Sequence, residues 1–177
     1  VYSQSFILDE NKNLKNVMVW LKDVKYAGGT PKEPAIIDQK GCIYYPHVQG
    51  IMKDQPVIIK NSDGTLHNIH SMANNNPQFN FAMPQVVKEK ETSFSKVEEP
   101  FYIKCDVHPW MNAWAAVFDH PYFAVTGSSG YFKIGNLPPG TYDLEIWHER
   151  LPTQVMSVTV EAGERVNVEA VMEVPPS

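Results

Sequence analysis

The sequence contains no run of about 18 apolar residues, the length that a helix needs to cross a bilayer, so it predicts no transmembrane helix. It also lacks a basic start followed by an apolar stretch and a small-residue cleavage site. The chain begins with Val1 rather than Met, as a processed protein would. We therefore expect a periplasmic or extracellular protein whose signal peptide has been removed.

Basic charge is scarce as well. The chain has 15 Lys and Arg against 20 Asp and Glu, a formal net charge of -5. Proteins that bind nucleic acid concentrate basic residues that release counterions from phosphates, and no such patch occurs here. The acidic excess lies in residues 141–173, where seven acidic residues accompany two arginines. Such a segment is typical of a solvated face, so nucleic acid is not an expected partner.

Helical periodicity is also missing, and short apolar or alternating segments take its place. They are separated by turn signals such as Gly28-Gly29, Asp63-Gly64 and Pro138-Pro139-Gly140. This pattern indicates an all-β protein of the sandwich or barrel type. The segments that it predicts to be strands are residues 17–21, 57–60, 101–104, 115–118, 142–146 and 155–160.

Cysteine is represented twice, by Cys42 and Cys105. Two cysteines in a secreted chain often form a disulfide, but the surroundings of Cys105 indicate another use. The segment at 105–111 reads Cys-Asp-Val-His-Pro-Trp-Met and lies between two predicted strands. It presents a thiol, an imidazole and a thioether at intervals of three residues. A set of two histidines, one cysteine and a weak axial methionine is the blue-copper arrangement.

The second histidine of such a set has to come from elsewhere in the chain. The segment His67-Asn68-Ile69-His70 follows a predicted strand and a turn, and it offers two candidates. Residues three apart on a strand point to opposite faces, so we expect only one of the two rings to face the site. A structural zinc site is the main alternative, although zinc prefers four strong nitrogen and sulfur ligands. A second metal site at Cys42 and His47 also stays open.

Together these motifs resemble the cupredoxins, or blue copper proteins, and are most similar to the amicyanin and plastocyanin type. Amicyanins carry a His-Asn-Val-His segment and a Cys-Thr-Pro-His-Pro-Phe-Met loop. The resemblance covers residues 36–118 and implies a Greek-key β-sandwich that holds one type 1 copper. The ligands that it implies are His67, Cys105, His108 and Met111.

The resemblance also assigns roles to neighbouring residues. It implies that Asn68 and Pro109 hold the ligands in position without binding the metal themselves. It also implies that His108 and Trp110 form the face through which electrons leave. Asp106 departs from the family, which has threonine there, and its charge beside the thiolate could lower the reduction potential. Trp110 replaces a phenylalanine, and the remaining chain has no counterpart in amicyanin. The dehydrogenase that is the partner of amicyanin is therefore not carried over to this chain.

The C-terminal part resembles a different family. The phrases Thr-Gly-Ser-Ser-Gly-Tyr-Phe at 126–132 and Asn-Leu-Pro-Pro-Gly-Thr-Tyr at 136–142 are similar to the carboxypeptidase regulatory-like domain, a small transthyretin-like β-sandwich. We therefore expect two domains, a copper-binding one at 36–118 and a regulatory-like sandwich at 119–177. A strand within residues 1–25 could complete the second sandwich. That family shares no catalytic activity, so a structural or adhesive role is expected.

These inferences predict a protein that carries single electrons between redox partners such as a cytochrome or a dehydrogenase. An enzyme is not expected, because a second, catalytic copper usually needs additional histidines. The histidines outside the ligand set form no His-x-His pair; they are His47, His70, His120 and His148. The alternative function is a copper carrier or chaperone, or a copper-binding subunit of a larger redox complex.

Overall fold

The computed structural model describes residues 3–174, which form thirteen β-strands and no α-helix. The all-β class predicted from the sequence is therefore confirmed. Within these residues, no helix has the length and apolar character that crossing a membrane demands. The strands, in chain order, are β1 Met18–Leu21, β2 Ala35–Lys40, β3 Ile43–Tyr45, β4 Val48–Met52, β5 Val57–Asn61, β6 His67–Ser71, β7 Asn80–Met83, β8 Glu89–Thr92, β9 Glu98–Lys104, β10 Asn112–Phe118, β11 Phe123–Val125, β12 Gly140–His148 and β13 Leu151–Val160.

The chain separates into two compact units. The first contains Ala27–Asp119 and the second contains Gln4–Tyr26 together with the chain from His120 onward. The first unit is thus inserted, in sequence, between two parts of the second. The described residues of each unit form their own sheets and their own core.

The first unit is a sandwich of two sheets. One sheet has the order β4-β10-β9-β6-β7, and the other has the order β3-β2-β5-β8. Their strands alternate buried and more exposed residues, as in β5 and β9, so each sheet turns one apolar face inward. Ile59 of β5 and Phe101 and Ile103 of β9 belong to one buried cluster. The shared core therefore holds the two sheets together.

The second unit is built on one sheet with the order β11-β1-β12-β13. Residues Val19 of β1 and Leu144 and Ile146 of β12 form its buried core. Partly buried side chains outside the strands, from residues 132–137 and 168–172, pack against this core. Gly130, which precedes the first of these segments, has a left-handed backbone (φ 69°). A Cβ there would lie 2.7 Å from the Asn13 side chain, which is too close.

A buried carboxylate organises the turn between β6 and β7 in the first unit. Glu98 of β9 is only 3% exposed. Its side chain accepts hydrogen bonds from the backbone N–H groups of Asn74, Asn75 and Asn76 and from the Asn76 amide. Burial alone would raise the pKa of Glu98, but these hydrogen bonds outweigh it and hold the pKa below its ordinary value.

We expect Glu98→Gln to lower the free energy of unfolding by about 1–3 kcal/mol near neutral pH, because an amide cannot accept all of these bonds. Since the folded pKa lies below the ordinary value of 4.5, the stabilisation is complete above that pH. It is lost as the pH falls through the folded pKa. Urea titrations near neutral pH and at about pH 3 measure the effect, with the exposed Glu99→Gln as control. Equal losses at both pH values would contradict this account.

Candidate metal centre

Three neighbouring strands of the five-stranded sheet bring the candidate ligands together. Lys104 of β9 lies opposite His70 of β6 and opposite Asn112 of β10. The loop at residues 105–111 therefore begins and ends beside this paired position. Because β6 and β9 are antiparallel, the chain beyond Lys104 runs toward the end of β6 at which His67 lies.

The donor atoms of three predicted ligands converge at this point. Nδ1 of His67 lies 3.1 Å from Nδ1 of His108, and Sγ of Cys105 lies 3.7 Å from Nδ1 of His108. All three donors lie within 4.8 Å of one another. His67 and Cys105 are buried, whereas His108 is partly exposed. The arrangement gathers one soft sulfur and two imidazole nitrogens at the edge of the core.

The fourth predicted ligand, Met111, lies at the far end of the same loop. Its side chain is fully buried in the core cluster that also contains Cys105. The loop is closed by two backbone hydrogen bonds, from Cys105 N–H to Met111 O (3.1 Å) and from Met111 N–H to His108 O (2.9 Å). These bonds limit how far the three loop residues can separate.

Asn68 joins the segment that carries His67 to the loop that carries the other candidates. Its Oδ1 accepts hydrogen bonds from the backbone N–H of Asp106 (2.6 Å) and of Val107 (3.3 Å). Its Nδ2 donates to Oδ1 of Asn80 and Oδ2 of Asp106. One amide side chain thus binds both segments.

The Asp106 carboxylate accepts hydrogen bonds from several side chains. Lys104 contacts its Oδ1 at 2.9 Å, and Asn80, His70 and Asn68 reach its Oδ2. Hydrogen bonds from Lys104, then from Asn80, His70 and Asn68, hold the pKa of Asp106 well below its usual range despite some desolvation. The carboxylate therefore stays ionised next to Cys105. His70 is engaged here, at 3.1 Å from Asp106, rather than in the cluster of donors.

Two residues that the sequence reasoning missed also surround the site. The hydroxyl of Tyr44 lies 2.6 Å from the carbonyl oxygen of Asn68 and 3.1 Å from that of Lys104, so it bridges β6 and β9. Burial, and then the nearby Cys105 and Asp106, raise the pKa of Tyr44 well above its ordinary value. This hydroxyl therefore remains a hydrogen-bond donor.

The second missed residue is Asp63, four positions before His67. Its Oδ2 lies 2.8 Å from Nε2 of His67. Burial raises the pKa of Asp63, but hydrogen bonds from the N–H groups of Cys42 and Gly41, and then from His67, outweigh it. On balance the pKa of Asp63 lies below its ordinary value, so the carboxylate is ionised. An acid four residues before the histidine was the only signal in the sequence.

The sequence left open a second metal site at Cys42 and His47, but these two residues have different neighbours. Cys42 is a free thiol, as is Cys105, and its Sγ groups with Asp63 and His67 within 4.8 Å. Nδ1 of His47 lies 3.2 Å from the carbonyl oxygen of Asn112. Among the described residues, His47 belongs to no cluster of three or more metal-binding side chains.

The outer surface of the loop is aromatic. Trp110 is 52% exposed, and the centroid of its ring lies 5.2 Å from that of His108. Its Nε1 donates a hydrogen bond to the carbonyl oxygen of Cys42 (3.1 Å), which fixes the indole on the neighbouring hairpin. Pro109, between the two rings, is exposed.

Replacing Asn68 tests how much its hydrogen bonds hold the loop in shape. Asn68→Ala leaves the N–H groups of Asp106 and Val107 without their acceptor, so we expect their amide hydrogens to exchange at least about tenfold faster. Asn80→Ala is the control, because Asn80 bonds to the carboxylate of Asp106 and not to its backbone N–H. Hydrogen exchange followed by NMR measures both variants. Unchanged protection in Asn68→Ala would mean that the loop holds its shape without this amide.

Comparisons with known proteins bear on the two units. Residues 116–173 match the family described as the carboxypeptidase regulatory-like domain, which confirms the resemblance inferred for the C-terminal part. No curated protein sequence matches the chain.

Several solved structures are similar to part of the chain. A purple cupredoxin from Nitrosopumilus maritimus is 24% identical, with a TM-score of 0.40, over 48% of this chain and 99% of its own. The Cu(I) form of an amicyanin variant is 16% identical, with a TM-score of 0.42, over 56% of this chain and 98% of its own. The copper-containing nitrite reductase of Thermus scotoductus SA-01 is 19% identical, with a TM-score of 0.42, over 55% of this chain but only 25% of its own. The chain is thus similar to cupredoxins over about half its length and to the carboxypeptidase regulatory-like domain over residues 116–173.

Proposed function

We propose that the protein binds one copper ion through His67, Cys105, His108 and Met111 and carries single electrons between redox partners outside the cytoplasm. The observation that carries the proposal is the convergence of one thiol and two imidazole nitrogens within 4.8 Å of one another. Thiolate and thioether sulfurs favour copper(I), and imidazole suits both oxidation states. Zinc gains little from a methionine, so this donor set fits copper better.

The number of candidate sites supports a single ion. The described residues contain two groups of three potential ligands, and both groups include His67. The group of His67, Cys105 and His108 contains the softer donors, and two of its members share a loop with the buried Met111. A single ion in that group is the simplest use of the shared histidine.

Copper in such a set supplies a one-electron couple between copper(II) and copper(I). The contribution of the chain is to hold the donors in one place while the charge changes. The two backbone hydrogen bonds of the loop, the Asn68 amide and the burial of Cys105 all restrict movement. A site that rearranges little favours electron transfer over the release of a carried metal ion.

The face through which electrons would pass is formed by His108 and Trp110. His108 is the one partly exposed candidate ligand among the described side chains, and the exposed indole of Trp110 lies beside it. Interfaces between redox proteins are typically small and transient, which is compatible with a face formed by these two rings. The expected partner is another redox protein, such as a cytochrome or a dehydrogenase.

We further propose that the two compact units are two domains, and that the second one is structural or adhesive rather than catalytic. The match of residues 116–173 to the carboxypeptidase regulatory-like domain supports this division. The acidic residues of this part would then act on the encounter with a charged partner, an effect that salt screens.

Visible and EPR spectra of the copper-loaded protein test the proposal directly. We expect an intense thiolate-to-copper(II) band, and we expect Cys105→Ser to abolish it because the proposed thiolate is lost. Cys42→Ser is the matched control and should retain the band. Circular dichroism should show an intact β fold in both variants. A band that survives in Cys105→Ser would sink the ligand assignment.

The two histidines of β6 provide a second test. His67→Ala should lower copper affinity by more than the roughly 10–100-fold that the loss of an outer partner of a ligand costs. His70→Ala should have a small effect, because His70 contacts Asp106 and not the donor cluster. Metal analysis after dialysis against a graded chelator series compares them. Equal losses would show that both histidines bind copper or that the assignment is wrong.

A further inference from the structure

His67 has two ring nitrogens, and each has a different neighbour. Nδ1 lies 3.1 Å from Nδ1 of His108, whereas Nε2 lies 2.8 Å from Oδ2 of Asp63. The His67 side chain is 0% exposed, so water does not compete for either nitrogen. The orientation of the ring is therefore decided by these two contacts.

The Asp63 contact determines which nitrogen of His67 carries the proton. Both oxygens of Asp63 already accept hydrogen bonds from backbone N–H groups, so the carboxylate is also the acceptor toward His67 and the hydrogen of this contact belongs to Nε2. In a neutral imidazole the lone pair then lies on Nδ1. That lone pair points toward His108 and Cys105, and a metal ion needs such a lone pair.

Asp63 is itself held in place from another part of the chain. The N–H of Gly41 donates to Oδ1 at 2.8 Å, and the N–H of Cys42 donates to Oδ2 at 3.0 Å. Both residues have left-handed backbones, with φ of 65° and 57°, and they form the turn between β2 and β3. Successive N–H groups in such turns form anion-binding concavities. The carboxylate is thus fixed independently of His67.

We propose that Asp63 is the positioning residue of the copper centre: it holds His67 with the proton on Nε2 and lowers the reduction potential by its negative charge. The inference rests on the proposed function and names a residue that the ligand set does not include. A negative charge stabilises the more highly charged oxidised ion over the reduced one. Partners of this kind orient ligating histidines and raise their basicity.

The same side chains also offer a second possible metal site. Cys42, Asp63 and His67 could hold a second cation, since their donor atoms lie within 4.8 Å of one another. Both oxygens of Asp63, however, already accept hydrogen bonds from backbone N–H groups, and Nε2 of His67 is taken by the carboxylate. The contacts therefore favour the positioning role.

The tautomer is tested in the metal-free protein. Nitrogen-15 NMR of the wild type should show the proton of His67 on Nε2. In Asp63→Asn that proton should exchange with solvent at least about tenfold faster, because the charge-assisted hydrogen bond is weakened. A wild-type proton on Nδ1 overturns the proposal, and this measurement stands even if the variant does not fold.

The charge is tested in the copper-loaded protein by the reduction potential. Asp63→Asn should keep the visible band, shift the potential to a more positive value and lower copper(II) affinity by about 10–100-fold. Glu89→Gln is the matched control, because it removes one carboxylate that pairs with Lys60 (3.6 Å) and does not contact His67. An Asp63→Asn potential equal to that of the control overturns the electrostatic part.

Two further outcomes separate this inference from the proposed function. If the wild type binds no copper, the proposed function fails, and with it the claim about the potential, while the metal-free tautomer still decides whether Asp63 orients His67. If the wild type binds two ions and both Asp63→Asn and Cys42→Ser lose one of them, Asp63 is a ligand of a second cation. That result would overturn the positioning role.

Discussion

The pairing of Lys104 with residues on both sides is the constraint on which the rest of the site depends. Lys104 lies opposite His70 on one neighbouring strand and opposite Asn112 on the other. Because the register is fixed there, the seven residues of the loop at 105–111 have to turn back over a short distance. The thiol, the imidazole and the thioether are then gathered at one sheet edge, next to the strand that supplies His67. A slip of one residue in this register would turn Cys105 away from His67.

Two carboxylates lie near the gathered donors, and each is kept ionised in a different way. Asp63 lies behind His67 and is held by backbone N–H groups of a tight turn. Asp106 follows Cys105 and is held mainly by Lys104 and by amide and imidazole side chains. The first is largely shielded from solvent and the second is substantially exposed. Since screening by water weakens exposed charges most, Asp63 should act on the site more strongly than Asp106.

The sequence alone predicted the parts of this structure that depend on local pattern. Short apolar or alternating segments located β1, β5, β9, β10, β12 and β13, and the spacing within residues 105–111 indicated the donor loop. Asp63 and Tyr44 could not be predicted, because their roles arise from contacts between segments that are distant in sequence. The turn that holds Asp63 also depends on Cys42 adopting a left-handed backbone (φ 57°), which non-glycine residues rarely do. The preference for His67 over His70 came from the family resemblance rather than from the local pattern, and the structure adds the neighbours of each ring.

The position of β1 in its sheet has a consequence for how the chain folds. β1 lies between β11 and β12, and Val17, directly before β1, donates its N–H to the Thr126 hydroxyl, 109 residues away in sequence. Contacts of such long range close slowly, because a large loop has to be ordered before they form. During synthesis β1 emerges long before its partner strands, whereas every strand of the first unit finds its neighbours within residues 27–119. The candidate ligand side chains can therefore be brought together while β1 is still unpaired. An unpaired strand with exposed edges is open to pairing with other chains.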